Sequence, residues 1–76
     1  MGRRSSFEVF KDILKACDGE KKTRIMYRAN LTTRMLNYYL GKLEEVGLIR
    51  VEEGSKIYRL TEEGKFLLKI LEKLCP

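Results

Sequence analysis

Residues 22–49, KTRIMYRANLTTRMLNYYLGKLEEVGLI, decide the fold because they predict a short helix, a tight turn and a longer helix. Thr23 is the predicted cap of the short helix, which we expect from Arg24 to Ala29. Asn30 favours the left-handed conformation that ends a helix. Leu31 then brings the turn back to the core. The segment therefore predicts a helix-turn-helix unit.

The longer helix of this unit is expected from about residue 33 to residue 46, with Thr32 as its cap and Gly47 at its end. Its inward positions are leucines at helical spacing: Leu36, Leu40 and Leu43. The residues predicted on the opposite side are Arg34, Asn37, Tyr38 and Gly41. Arg34 near the start and Glu44 near the end oppose the helix dipole, which favours acids at the start and bases at the end. An anion meeting the N-terminal end would explain this arrangement.

The positive charge of the chain is concentrated in this unit. No carboxylate occurs between Glu20 and Glu44. The basic residues in that window are Lys21, Lys22, Arg24, Arg28, Arg34 and Lys42. These six charges exceed the net charge of +5, so the rest of the chain sums to −1. A concentrated positive field on a helix-turn-helix unit is what a nucleic-acid duplex attracts.

Elements on both sides of the unit complete the fold prediction. Ser5, followed by Glu8, has the pattern of a capping box and begins a first helix. Residues 48–52 and 56–60 alternate about a glycine-containing turn and predict a hairpin. Thr61 begins a last helix that continues to about residue 74. The predicted class is mainly α with a small β-hairpin, in the order helix, short strand, helix, helix, hairpin, helix, which is a winged helix-turn-helix arrangement.

The sequence also resembles a known group of proteins. Residues 22–31, 39–49 and 58–64 are similar to matching segments of small archaeal winged-helix proteins, and the resemblance extends from about residue 7 to residue 74. That group includes predicted transcriptional regulators and a small chromosomal DNA-binding protein that dimerises through its last helix. The resemblance implies an archaeal DNA-binding protein. The last helix is shorter here, so any dimer must be more compact.

We assign DNA contacts from the helical faces and the charges. Arg34 is suited to guanine and Asn37 to adenine in the major groove. The wing basic residues are secondary contacts, because Glu52 and Glu53 lie beside the wing tip. The complete predicted set is Lys21, Lys22, Arg24, Arg28, Thr32, Thr33, Arg34, Asn37, Tyr38, Lys42, Arg50, Lys56 and Arg59.

Surplus apolar surface predicts a homodimer. The apolar arcs of the first and last helices are wider than the stripe of about 100° that packing on a small core requires. A second copy across a two-fold axis is the simplest partner for such a surface. The predicted interface residues are Phe7, Phe10, Leu14, Phe66, Leu67, Ile70, Leu71 and Leu74.

Composition bounds the remaining possibilities. The length of 76 residues predicts one domain over residues 1–76, with a frayed tail at 1–4 and a dimerisation helix at 61–75. The chain has no histidine, and Cys17 and Cys75 form no CxxC pair, so we expect no metal, cofactor or small-molecule ligand, and reduced cysteines. No catalytic constellation or membrane segment is visible, which predicts a cytoplasmic, nucleoid-associated protein that is not an enzyme. The predicted function is that of a homodimeric transcriptional regulator that binds double-stranded DNA by inserting the longer helix into the major groove. An architectural chromosomal protein and a protein-interaction winged helix in a larger assembly are the alternatives.

Overall fold

The computed structural model describes residues 5–74. The predictions for the tail at residues 1–4 and for Cys75 lie outside this range. The elements, in chain order, are α1 (Ser6–Cys17), β1 (Glu20–Lys21), α2 (Lys22–Ala29), α3 (Thr33–Glu45), β2 (Ile49–Glu52), β3 (Ile57–Leu60) and α4 (Glu62–Leu74).

Helix α1 begins with the predicted capping box. The Glu8 amide donates to Ser5 Oγ at 3.2 Å, and the Ser5 amide donates to Glu8 Oε1 at 2.9 Å. These two bonds satisfy amides that the helix itself leaves unpaired, and such a cap stabilises a helix by about 1 kcal/mol. The far end of α1 buries Cys17 completely, and burial raises the pKa of its thiol to about 12. Cys17 is therefore an apolar core residue at neutral pH.

Helix α2 begins two residues earlier than predicted, at Lys22, and Thr23 is inside its first turn rather than at its cap. The reason is tertiary. Lys21 pairs with Ile57 in the sheet, so the chain passes directly from strand β1 into the helix. At the other end the predicted stop is confirmed. Asn30 has φ 56° and ψ 53°, and the Leu31 amide donates to the Met26 carbonyl at 3.1 Å.

Helix α3 has the predicted cap and core face. The Met35 amide donates to Thr32 Oγ1 at 3.2 Å, and the three inward leucines are buried. Gly47, with φ 81°, follows the helix, and its amide donates to the Glu44 carbonyl. The Leu48 amide reaches back to the Leu43 carbonyl at 2.9 Å. This pair of bonds is a Schellman motif, which turns the chain sharply toward the hairpin.

The strands form one antiparallel sheet in the order β1-β3-β2. The predicted hairpin is confirmed, with Ile49 opposite Leu60 and Glu52 opposite Ile57. Strand β1 pairs on the outer side of β3, which fastens the start of α2 to the wing. The predicted winged helix-turn-helix arrangement is thus the observed one.

Helix α4 packs against α1 and β3. The Thr61 hydroxyl caps it by accepting from the Gly64 amide at 3.1 Å, and the same hydroxyl donates to the Gly47 carbonyl at 2.7 Å. A Cβ atom at Gly64 would overlap the Leu48 carbonyl oxygen. The start of α4 is therefore in direct contact with the backbone of the turn that follows α3.

Candidate nucleic-acid interface

The outer face of α3 is open from Arg34 to Gly41. Arg34, Asn37, Tyr38 and Gly41 are exposed, as predicted, and no atom of residues 5–74 outside the local helix lies within 4 Å of a Cβ built at Gly41. The first turn of α3 contains no acid. Its free backbone amides and the Arg34 guanidinium therefore give this end a positive potential. We call this surface, residues 32–41 of α3 with its cap, the α3 front.

A hydrogen bond joins α2 to the α3 front. Lys22 Nζ donates to Asn37 Oδ1 at 2.6 Å. A second contact joins the same helices, since Thr33 Oγ1 donates to the Met26 sulfur at 3.3 Å. The α3 front is consequently braced from α2 at its first turn and at its second turn.

The aromatic rings of Tyr38 and Tyr39 connect the α3 front to helix α1. Lys42 Nζ lies 5.5 Å from the centre of the Tyr38 ring, a cation–π distance. The Tyr38 ring also meets Tyr39 edge to face at 5.3 Å, and Tyr39 meets Phe10 of α1 at 5.2 Å. Tyr38 is 60% exposed, so its hydroxyl can reach a ligand while these contacts restrict the ring.

Three lysines share a groove between the start of α2 and the wing. Lys21 and Lys22 line it from one side and Lys56 from the other, in a cavity of about 620 Å³. Thr23 and Ser55 also line it, and neither residue was predicted in the interface. Their sequence signal was weak, because a single hydroxyl residue near a helix start or in a turn is ordinary. The groove adds positive charge beside the α3 front, and Glu53 is the acid on its wall.

Arg24 and Arg28 lie on another flank of α2. Arg24 lines a groove with Glu20 and Tyr27, and Arg28 lies beside Asp12 and Lys15 of α1. In a helix beginning at residue 22, this flank is opposite the one that carries Lys22 toward α3. The structure therefore does not bring these two arginines together with the α3 front.

Arg59 of the wing is engaged within the wing. Its Nε atom contacts Glu52 Oε2 at 2.7 Å, and Glu52 Oε1 accepts from the Ser55 hydroxyl at 3.2 Å. The hydrogen bond lowers the pKa of Glu52 and raises the pKa of Arg59. Arg50 and Lys56 are exposed. The wing thus presents two outward cations, whereas Arg59 is neutralised by its neighbour.

The predicted dimer residues fall into two groups. Leu14 and Leu71 are 0% and 2% exposed and belong to the core of the single chain, so neither offers surface to a partner. The other six predicted residues retain surface, and the most exposed are Phe7 at 62%, Phe66 at 67% and Leu74 at 69%. The assignment from apolar spacing was too broad because it did not establish which side of α4 packs against α1.

An apolar groove lies beside these exposed residues. It has a volume of about 330 Å³ and runs between α1, the end of α3 and α4. Phe7 and Val46 form its exposed rim, and Phe10 and Leu67 form part of its floor. This surface is separate from the lysine groove, which is lined by α2 and the wing.

Residues 5–74 contain neither a metal-ligand cluster nor a helix able to span a membrane. No group of three or more metal-ligating side chains occurs among them. No helix within that range combines the length and hydropathy needed to cross a bilayer.

Comparison with known proteins agrees with this geometry. Two uncharacterised proteins of Methanocaldococcus jannaschii are 36% and 42% identical to the chain, each over 95% of it. The chain spans 34% of the first relative and 74% of the second. Among solved structures, Sso10a-2, a DNA-binding protein from Sulfolobus solfataricus, has a TM-score of 0.82 and 35% identity, with 93% of this chain and 78% of that chain covered.

A further structural likeness concerns a much larger protein. The O-methyltransferase NcsB1 of neocarzinostatin biosynthesis matches with a TM-score of 0.58 and 27% identity. The match covers 82% of this chain but 20% of the enzyme. The family model for winged helix-turn-helix proteins matches residues 3–75. The chain belongs to the winged helix-turn-helix family.

Proposed function

We propose that this protein binds double-stranded DNA by inserting the α3 front into the major groove. The observation that carries the proposal is the exposed, acid-free N-terminal half of α3, flanked by the lysine groove. Helix N-termini and lysines contact phosphates, which fixes a protein on the duplex, while side chains such as Arg34 and Asn37 reach base edges. Similarity to the DNA-binding protein Sso10a-2 supports the same conclusion.

Within this proposal the residues have distinct roles. Arg34, Asn37 and Tyr38 face bases, and the Thr33 hydroxyl lies at the border between bases and phosphates. Lys21 and Lys56 contact phosphates from the two sides of their groove, and Lys22 bonds to Asn37. The Thr32 hydroxyl accepts a hydrogen bond from the Met35 amide, so Thr32 contributes by stabilising the start of α3. Arg24 and Arg28 contribute long-range attraction.

The protein acts as a homodimer in this proposal, with α4 at the two-fold axis. Phe66, Ile70 and Leu74 are exposed on α4, and Phe7 is exposed at the nearby apolar groove. An apolar surface of this kind is uncommon on a monomer and is covered most simply by a second copy. A dimer would present two α3 fronts to half-sites about 34 Å apart on one face of the duplex.

Fluorescence anisotropy with a labelled random-sequence duplex tests DNA binding. Affinity should fall with rising salt, with a log–log slope of about −0.9 for each phosphate contact. The variant Lys21→Glu/Lys56→Glu should lose most of this affinity. The variant Lys69→Glu/Lys73→Glu changes the net charge equally on α4 and should lose much less. Equal losses, or no binding at low salt, would contradict the proposed interface.

Sedimentation tests the dimer. Phe66→Glu should give a folded monomer, because its side chain is exposed in the single chain and only an interface would suffer from the charge. Leu71→Glu is unsuitable for this purpose because it places a charge in the core. Lys69→Glu is the control on the same helix and should remain dimeric. A wild-type monomer, or a dimeric Phe66→Glu variant, would contradict this part of the proposal.

Selection of bound duplexes from a random pool separates the two roles that DNA binding permits. We propose a transcriptional regulator, because Arg34 and Asn37 are side chains capable of direct base recognition. A regulator yields a defined motif. An architectural chromosomal protein yields no sequence motif, since it contacts mainly the DNA backbone.

A further inference from the structure

Asn37 is oriented by a residue outside its own helix. Lys22 Nζ donates to Asn37 Oδ1 at 2.6 Å, although the two residues are 15 positions apart. An ammonium group has only donors, so it can face only the carbonyl oxygen of the amide. The Nδ2 amino group must therefore point away from Lys22. This contact fixes which edge of the amide faces which direction.

The Lys22–Asn37 pair presents hydrogen-bond donors to its surroundings. The ammonium has further N–H groups besides the one on Oδ1, and the amide contributes the two N–H groups of Nδ2. Oδ1 keeps a second lone pair. A second donor approaching Oδ1 would be opposed by the positive charge of the Lys22 ammonium, which is already bonded to that oxygen. The pair is therefore matched to acceptors.

We propose that Lys22 and Asn37 read guanine as one unit, with Lys22 as the positioning residue that sets the specificity of Asn37. The inference rests on the proposed function. Guanine presents two acceptors, N7 and O6, in the major groove, whereas adenine presents one acceptor and the N6 amino donor. Adenine recognition by asparagine requires Oδ1 to accept from N6, and the ammonium opposes that approach. This differs from the adenine contact that the sequence alone predicts for Asn37.

The test is selection from a random duplex pool with the whole chain and a set of variants. Asn37→Ala identifies the base position that Asn37 reads, because the preference there disappears. At that position the wild type should select guanine. Lys22→Met should change the preference to adenine, altering the guanine-to-adenine ratio by about fivefold or more. Lys22→Arg should keep guanine, since a guanidinium also donates to Oδ1.

Two controls separate positioning from simple loss of charge. Lys21→Met removes the same charge from the neighbouring position and should weaken binding while leaving guanine preferred. Lys22→Met/Asn37→Ala should show no preference, because the gained adenine contact belongs to Asn37. Both lysines and Asn37 are exposed, so these changes leave the core intact.

Several results would overturn the inference. A wild-type preference for adenine at the position read by Asn37 would do so. The same holds if Lys22→Met still selects guanine, or if Lys22→Met loses the guanine preference without gaining one for adenine. A flat wild-type motif overturns the inference but leaves DNA binding standing. Failure of the wild type to bind any duplex at low salt overturns the inference together with the proposed function.

Discussion

The α3 front and the wing carry similar basic residues, yet they differ in what surrounds those residues. Around the α3 front, Arg34 lies inside the acid-free stretch between Glu20 and Glu44, and Lys22 donates to the neutral amide of Asn37. In the wing, Arg59 bonds directly to Glu52. The number of basic residues in a region therefore does not show whether its surface is positive. Their nearest acids decide whether each charge acts outward.

Among the substitutions that test this difference between the α3 front and the wing, Arg34→Ala should change DNA affinity the most. Arg34→Ala should lower affinity for a selected duplex by about 5- to 150-fold, which corresponds to ~1–3 kcal/mol for a lost bidentate base contact. Arg24→Ala removes the same charge from the other flank of α2 and should affect selected and random duplexes alike. Anisotropy titrations with both duplexes make the measurement. Equal behaviour of the two variants would remove Arg34 from the base-reading residues.

Removal of the acid bonded to Arg59 should give the wing an additional unpaired positive charge, as on the α3 front. Glu52→Gln removes the acid partner, so Arg59 becomes available to phosphate. Affinity for any duplex should rise by up to roughly tenfold at 0.1 M salt, and the salt slope should steepen by about 0.9. Glu72→Gln removes the same charge from an exposed position on α4, outside the lysine groove, and serves as the control. An unchanged salt slope in Glu52→Gln would show that Arg59 does not reach the duplex.

Gly41 tests how closely the groove approaches the α3 front. Gly41→Ala should raise the free energy of unfolding by up to ~1 kcal/mol, because alanine favours a helix and the new Cβ meets no described atom. In the proposed complex the same methyl group faces the duplex, so affinity should fall by a small factor. Denaturant unfolding and anisotropy measure the two effects. Unchanged affinity would mean that the duplex does not reach this turn.

Removal of the whole wing pair should have the smallest effect. Glu52→Ala/Arg59→Ala leaves the net charge unaltered and deletes an exposed ion pair, which is worth little in stability. Affinity should stay within about twofold of the wild type. A large loss would indicate that Arg59 contacts DNA despite its bond to Glu52, and the contrast between the two surfaces would then fail.

Signals that act within a few residues made the fold predictable. The capping box at Ser5, the left-handed stop at Asn30 and the cap at Thr32 are all observed. The start of α2 was misplaced because Lys21 pairs with Ile57, far along the chain. A local pattern contains no information about such a partner.

The candidate site was predictable in outline but not in its contacts. The wheel of α3 placed Arg34 and Asn37 outward, as observed. It did not show that Lys22 holds the amide of Asn37 or that Arg28 lies beside α1. The wide apolar arc of α4 likewise did not distinguish buried Leu71 from exposed Ile70. Each of these contacts and burial differences depends on how two helices pack against each other, which the sequence of one helix does not show.

The overlap that any Cβ at Gly64 would make with Leu48 has a practical consequence for redesign. The last helix cannot be tilted or shifted by itself, since even one added methyl group would push against the backbone that follows α3. An engineer who wishes to alter the spacing of the two α3 fronts in the proposed dimer should therefore leave this glycine in place. The freedom for such changes lies farther along α4, toward Leu74.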